Sequence, residues 1–340
     1  MKHIILIGPK YYNYSEGIME SLVRLGFDVD FFPSLEFYEN CSWLQRKFYK
    51  LGYKSLKQKW NNAWEMKLRA FINSHVQKGT IFLFCTGSMI STQLLTDLHA
   101  YTKVLYMWDS VKRYSVDFQK RIGLYDCALA FEYSDIAYVK EKFGASMIYM
   151  PLGYDEKIFF PNENVVKDID VSFIGSPTAE RLDLLEVVAS VMCKNRRLYT
   201  GGEWYKGRRK KSFFKKYPHL YQCHNNRNLD KEEVANIYGR SKIVLNINNA
   251  IHKSVSPRTF EIMATSTFQI MNRGQNFYPL NINFADDMDF YDDPSDLLNK
   301  IEFYLENDEI RIYKARNGYN KIVGEYSQTE ILKKILSNII

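Results

Sequence analysis

Paired cysteines are missing from this 340-residue chain. Its five, Cys41, Cys85, Cys127, Cys193 and Cys223, are odd in number, far apart and form no C-x-x-C. That excludes a disulfide framework and a thiolate zinc site, and it fits a reducing cytoplasm. Long apolar runs are missing too. No stretch approaches the roughly 20 residues of a membrane-spanning helix, and the run Ile4-Ile5-Leu6-Ile7 is too short for a secretory signal. No G-x-G-x-x-G follows that first strand, which argues against a dinucleotide oxidoreductase. RNA-recognition, zinc-finger and helix-turn-helix signatures are also absent, so the net charge of +7 gives no reason to expect nucleic acid.

What is present suffices for two cores: 46% hydrophobic and 25% charged residues over a length of two ordinary domains. The basic charge is clustered. Arg46, Lys47, Lys50, Lys54, Lys57 and Lys59 follow one another without an acid, interleaved with aromatic and aliphatic residues from Trp43 to Trp60. A second block runs from Lys206 to Lys216. The stretches 43–60 and 206–216 suit an anionic membrane surface, and a solvated helix face accounts for each equally well.

Strand and helix signals alternate. Ile4–Ile7, Phe27–Phe32, Thr80–Phe84, Lys103–Met107, Tyr125–Phe131 and Ser146–Met150 read as strands. Ser15 caps a helix that Gly26 stops. Pro151-Leu152-Gly153-Tyr154-Asp155 reads as a linker, and the pattern restarts at Val171–Ile174. The expected fold is α/β: two Rossmann-like parallel-sheet domains, 1–150 and 163–320, facing across a cleft, with linker 151–162. A C-terminal helix in 321–340 is expected to pack back on the first domain.

Ligands of open parallel sheets bind beyond the carboxyl ends of the strands. The densest polar cluster at such an end is His252-Lys253-Ser254-Val255-Ser256-Pro257-Arg258-Thr259-Phe260-Glu261. It opens a helix whose first amides suit phosphate. Arg258 adds a cationic fork, and Glu261 can accept the protons of a ribose diol. Read alone, Arg258 reads first as a surface ion pair and Glu261 as a favourable acid in a helix first turn.

The segment from Arg258 to Gln269 resembles the donor-binding segment of GT-B glycosyltransferases. The nearest resemblance is to the CgeB-like branch of the group 1 glycosyltransferases, with its P-R-x-F-E-x-x-A-x-G pattern. Pro151–Asp155 resembles the family's linker. Val171–Ser176 with Arg181 resembles its phosphate loop, and Ile237–Asn246 its helix and strand before the donor site. The chain departs from the family at Thr265-Ser266, where a glycine is usual, and at Lys253, which replaces the first acid of an E-x7-E pair. No histidine stands near Glu325–Gln328.

The resemblance implies transfer of a sugar from a nucleotide-diphosphate donor to a surface glycan or lipid-linked acceptor. It gives the first domain the acceptor side and the second the donor. Glu261 would hold the ribose. Arg258, Thr259, Pro257 and Ser256 would lie at the pyrophosphate, with Gly175, Arg181, Gly201, Asn226 and His252 around the nucleotide. Trp204 borders the nucleotide or simply packs. Asp109, after Trp108 at a strand tip, is the candidate general base; the other reading is a helix cap. Glu132 and His252 are weaker candidates. No D-x-D stands at a strand end, so no obligatory cofactor or metal is expected. Asp286-Asp287-Met288-Asp289 reads as an acidic loop. The expected location is cytoplasmic, or peripheral on the inner membrane face. The rival readings are a nucleotide-sugar epimerase and a non-catalytic glycan- or membrane-binding protein.

Overall fold

The computed structural model describes residues 2–9, 14–34, 42–51, 54–192, 197–207, 209–248, 253–277, 280, 286–337 and 339. The chain divides into two compact units: Met1–Leu152 with Gln328–Ile340, and Gly153–Ser327.

The first unit holds one sheet of six parallel strands. These are β1 (His3–Gly8), β2 (Asp28–Pro33), β3 (Ile81–Cys85), β4 (Thr102–Tyr106), β5 (Cys127–Ala130) and β6 (Ile148–Tyr149), in the order β2-β1-β3-β4-β5-β6. β1 and β3 are buried on both faces, because crossover helices cover each side of a parallel sheet. That is why they read as unbroken apolar runs. Trp64, Leu68 and Ile72, one turn apart on the helix Lys54–His75, pack into the same core as Phe82 and Leu105. The first helix, Tyr14–Arg24, stops at Gly26, whose φ of +86° only glycine adopts freely. Ser15 does not cap that helix from outside. It lies within it and donates its hydroxyl to the Pro9 carbonyl at 2.6 Å. The helix Gln328–Ser337 lies against Tyr14–Arg24, where Arg24 Nη2 donates to Thr329 Oγ1 at 2.9 Å.

The second unit repeats the plan with β7 (Ile169–Ile174), β8 (Leu198–Gly201), β9 (His224–Asn225), β10 (Ser241–Asn246), β11 (Phe268–Asn272) and β12 (Asp289–Tyr291). All pair in parallel, in the order β12-β11-β10-β7-β8-β9. Phe173, Leu245 and Ile270 from the sheet meet Leu185, Val188 and Leu297 from the helices. β9 and β12 have no counterpart in the sequence reading, since two or three residues carry no period. Asp289, expected in an acidic loop, begins β12 and accepts a hydrogen bond from Tyr304 Oη at 2.8 Å. Asp287 is buried and ion-paired with Lys321 at 2.6 Å.

At the turn Thr265-Ser266, where the resembled family favours glycine, Ser266 has φ +50°. The backbone keeps a glycine conformation without the glycine. A left-handed residue with a Cβ costs about 1–2 kcal/mol, and glycine's greater freedom when unfolded returns part of that. Ser266→Gly is therefore expected to stabilise the protein by about 0.5–1 kcal/mol in a denaturant titration, with nucleotide affinity unchanged.

Candidate donor site at the β7 and β10 tips

In each sheet the chain winds away from the first strand in both directions. The crossovers that flank β7 leave a crevice between its carboxyl end and that of β10, the place where parallel sheets take ligands. Two arginines reach toward it from opposite sides. Arg181, on the helix Ala179–Met192 after β7, donates from Nε to the Ile247 carbonyl at 2.9 Å and from Nη1 to the Ser176 carbonyl at 3.1 Å. Arg258 opens the helix Pro257–Ala264 after β10 and lies over Gly175 at the end of β7. A Cβ on Gly175 would come within 2.9 Å of its Nη2. Both guanidinium carbons lie 5.9 Å from the centre of the Phe173 ring.

Two cations thus share one aromatic platform, and among the described residues neither makes an ion pair. Burial, followed by the charge of Arg258, pushes the Arg181 pKa down to about 10. Like charges crowded this way favour an anion between them.

The helix start adds donors. Ser256 is the N-cap, but its hydroxyl makes no capping bond, and its Oγ is buried without a hydrogen-bond partner among the described residues. Pro257 has no N–H, and the Thr259 amide already donates to the Ser256 carbonyl at 3.0 Å. The Arg258 amide, the Arg258 fork and the Ser256 hydroxyl are the groups left to face a ligand. Arg258 also bonds the buried Tyr238 phenol, whose pKa is raised by burial and, more weakly, by Glu261, against the lowering effect of Arg258. Glu261 lies beyond the first turn, so it does not complement the helix terminus as a first-turn acid would.

Several sequence-predicted residues do other work. The Thr259 side chain points into the core, where its Oγ1 accepts from Asn246 Nδ2 at 3.0 Å. Asn226 fastens the loop after β8: its Oδ1 accepts from the amides of Trp204 at 2.8 Å and Tyr205 at 3.1 Å, and its Nδ2 donates to the Tyr205 carbonyl at 2.9 Å. Gly201 makes room for Leu229, whose Cδ1 would lie 2.8 Å from an added Cβ. Trp204 closes the wall by donating Nε1 to the Gly175 carbonyl at 2.7 Å and stacking on His224 at 3.7 Å. His252 lies outside the described residues. Phe173 and Tyr238 lie within the Val171–Ser176 and Ile237–Asn246 segments of the expected donor region, but sequence reasoning singled out neither. Their role follows only from what crosses above them.

Asp109 is in the other unit, at the carboxyl end of β4. It does not cap the short turn Val111–Arg113; Ser110 does, accepting from the Lys112 amide. Asp109 Oδ2 pairs with Arg113 at 2.5 Å, and its Oδ1 accepts from the Ser110 amide at 2.8 Å. Glu132 is buried beyond the end of β5. At the end of β3, Thr86 has φ +69°, a strained conformation for a β-branched residue. Among the described residues, no group of three or more His, Cys, Asp or Glu could hold a metal ion.

Burial lowers the His224 pKa to about 4. The folded state resists protonation there, so the unfolded chain binds more protons between pH 6.5 and 4. Stability is held above pH 6.5 and falls as the pH drops through that window. His224→Phe should keep the stack on Trp204 and flatten this limb by about one proton in unfolding curves taken from pH 7 to 4.

The fold is that of the GT-B class. Residues 181–337 match the family model described as glycosyl transferase-like. Sucrose-phosphate synthase from Thermosynechococcus elongatus superposes with a TM-score of 0.69 at 13% identity, covering 99% of this chain and 98% of its own. HepE from Anabaena, solved with UDP-glucose, gives 0.63 at 10% identity over 100% and 99%. A candidate UDP-N-acetylglucosamine 2-epimerase from Listeria monocytogenes gives 0.61 at 11% identity over 100% and 96%. A search of curated proteins finds no match. These structures carry the fold, that of the GT-B class, and the glycosyl transferase-like match spans just under half of the chain, nearly all of it in the second unit.

Proposed function

We propose that this enzyme transfers a glycosyl group from a nucleoside-diphosphate sugar to a hydroxyl of a surface glycan or lipid-linked acceptor. The observation that carries the reading is the pair Arg181 and Arg258 over Phe173, two crowded cations with an open helix terminus beside them. In this reading the second unit, with 163–320 at its centre, is the donor side and the first is the acceptor side. Ser256, Arg258 and Arg181 take the diphosphate, and Glu261 takes the ribose. As the bond from the anomeric carbon to the phosphate oxygen breaks, negative charge grows on the leaving diphosphate. The two guanidinium groups are already in place to stabilise it. Asp109 takes the proton of the acceptor hydroxyl. The P-R-x-F-E run at Pro257–Glu261 supports a place in the CgeB-like branch. The basic stretches 43–60 and 206–216 support work at the inner face of an anionic membrane.

An epimerase would need acids and bases on both sides of the sugar ring. Near the Arg pair the described carboxylates are Glu261, on the helix after β10, and Glu180, beside Arg181 on the helix after β7. Incubating the protein with UDP-, GDP- and dTDP-sugars in the absence of acceptor separates the two. Slow release of nucleotide with the sugar unchanged supports the transferase, and a changed sugar configuration overturns it.

A further inference from the structure

The two basic stretches differ in structure, and the difference decides which of them fits a bilayer. In the second, Lys206 pairs with Glu203 at 2.9 Å and Lys216 with Asp183 at 3.2 Å. Lys210 and Lys216 lie over the rings of Tyr221 and Tyr217, while Phe213 is buried in the unit's core. Two of its cations are ion-paired, and Phe214, 51% exposed, is its only large apolar side chain turned outward among the described residues.

The helix Trp43–Lys50 instead turns a group of large apolar side chains outward. Trp43 is 70% exposed, Leu44 57%, Phe48 42% and Leu51 66%. Leu51 continues the helix, its amide donating to the Lys47 carbonyl at 3.0 Å. Leu44, Phe48 and Leu51 therefore share one face at i, i+4 and i+7, with Trp43 at its edge. Arg46 and Lys47 are exposed beside that face, and Lys47 Nζ sits 5.1 Å from the centre of the Trp43 ring. Few folded proteins leave four large apolar side chains in water on one short helix without a use for them.

A partner for this face must be apolar and anionic at once. A second copy of the chain would bring the same cations opposite one another, in a protein that already carries a net charge of +7. An anionic bilayer meets both demands: its acyl boundary takes Trp43, Leu44, Phe48 and Leu51, and its headgroups take Arg46 and Lys47. We infer that the helix Trp43–Lys50 with Leu51 is an interfacial anchor that seats the first unit on an anionic membrane, and that the helix Arg209–Lys216 is not. This sharpens the membrane part of the reading above, and it stands or falls separately from nucleotide binding.

The test is flotation of the full-length protein with vesicles of phosphatidylcholine alone or with about one third phosphatidylglycerol. The wild type is expected to float with the anionic vesicles only. The combined variant Trp43→Ser, Leu44→Ser, Phe48→Ser should lose binding by roughly tenfold or more, because the buried apolar area goes with it. These side chains are exposed, so its melting temperature should hold. Lys210→Gln with Lys211→Gln should bind within about twofold of wild type, against the roughly fivefold per residue expected if those lysines met headgroups. Failure of the wild type to float, equal binding to neutral vesicles, or undiminished binding by the triple variant would each overturn the inference. So would light scattering that shows a wild-type dimer which the triple variant dissolves. Nucleotide titrations on the same samples tell loss of the anchor from loss of the donor site.

Discussion

Arg258→Met weakens nucleoside-diphosphate binding by roughly 30-fold to 1,000-fold, the loss expected when one partner of a partly buried charge-assisted contact is removed. The fold should survive the change. Arg258 makes no ion pair among the described residues, and its charge opposes that of Arg181. Removing it relieves a repulsion and gives up one hydrogen bond to the buried Tyr238 phenol, two effects that oppose each other. Methionine also keeps an unbranched, apolar stem over Phe173. A melting temperature within a few degrees of wild type, together with the lost affinity, assigns Arg258 to the ligand. Gly175→Ala should move affinity in the same direction by a smaller factor. Its Cβ would stand 2.9 Å from Arg258 Nη2 and 3.2 Å from Phe173 Cζ, so the guanidinium must shift from its place. Unchanged affinity in Arg258→Met would leave the arginine pair without a function.

Asp109→Asn is expected to lower kcat by about 100-fold to 10,000-fold with the affinity for nucleoside diphosphate unchanged, the usual reach of a positioned general base. The substitution keeps the shape of the side chain and the hydrogen bond from the Ser110 amide, and removes the charge that pairs with Arg113. Loss of the acid limb of the pH profile of kcat in the variant would tie the defect to proton transfer, since a merely structural role for the Arg113 pair would leave the profile in shape. A kcat within a few fold of wild type would reduce Asp109 to a partner of Arg113. It would move attention to Glu132, or to a retaining route in which the departing phosphate takes the acceptor's proton.

The fold was legible because parallel strands buried on both faces leave continuous apolar runs in the sequence, as at Ile4–Ile7, Phe82–Phe84 and Val244–Leu245. β9 and β12 were not legible, since they extend a sheet by two or three residues whose pairing is set by neighbours far along the chain. The donor cluster was readable as a segment but not as an arrangement. Arg258 and Gly175 stand 83 positions apart, and only the crossover topology sets one over the other. Thr259 and Asn226 show the limit of reading from position. Both fall where a nucleotide contact was expected, yet one side chain turns into the core and the other ties down a loop. Glu261 shows the reverse. Its bland alternative as a first-turn acid fails on the helix's own bounds.

The central claim is that the crevice between β7 and β10 holds a diphosphate. Calorimetric titration of the wild-type protein with UDP, GDP and dTDP, each set beside its monophosphate, tests it most directly. The account predicts that at least one diphosphate binds, and that it binds at least about tenfold more tightly than the matching monophosphate, because the second phosphate meets the second guanidinium. No binding by any of the three, or equal affinity for diphosphate and monophosphate, would contradict it.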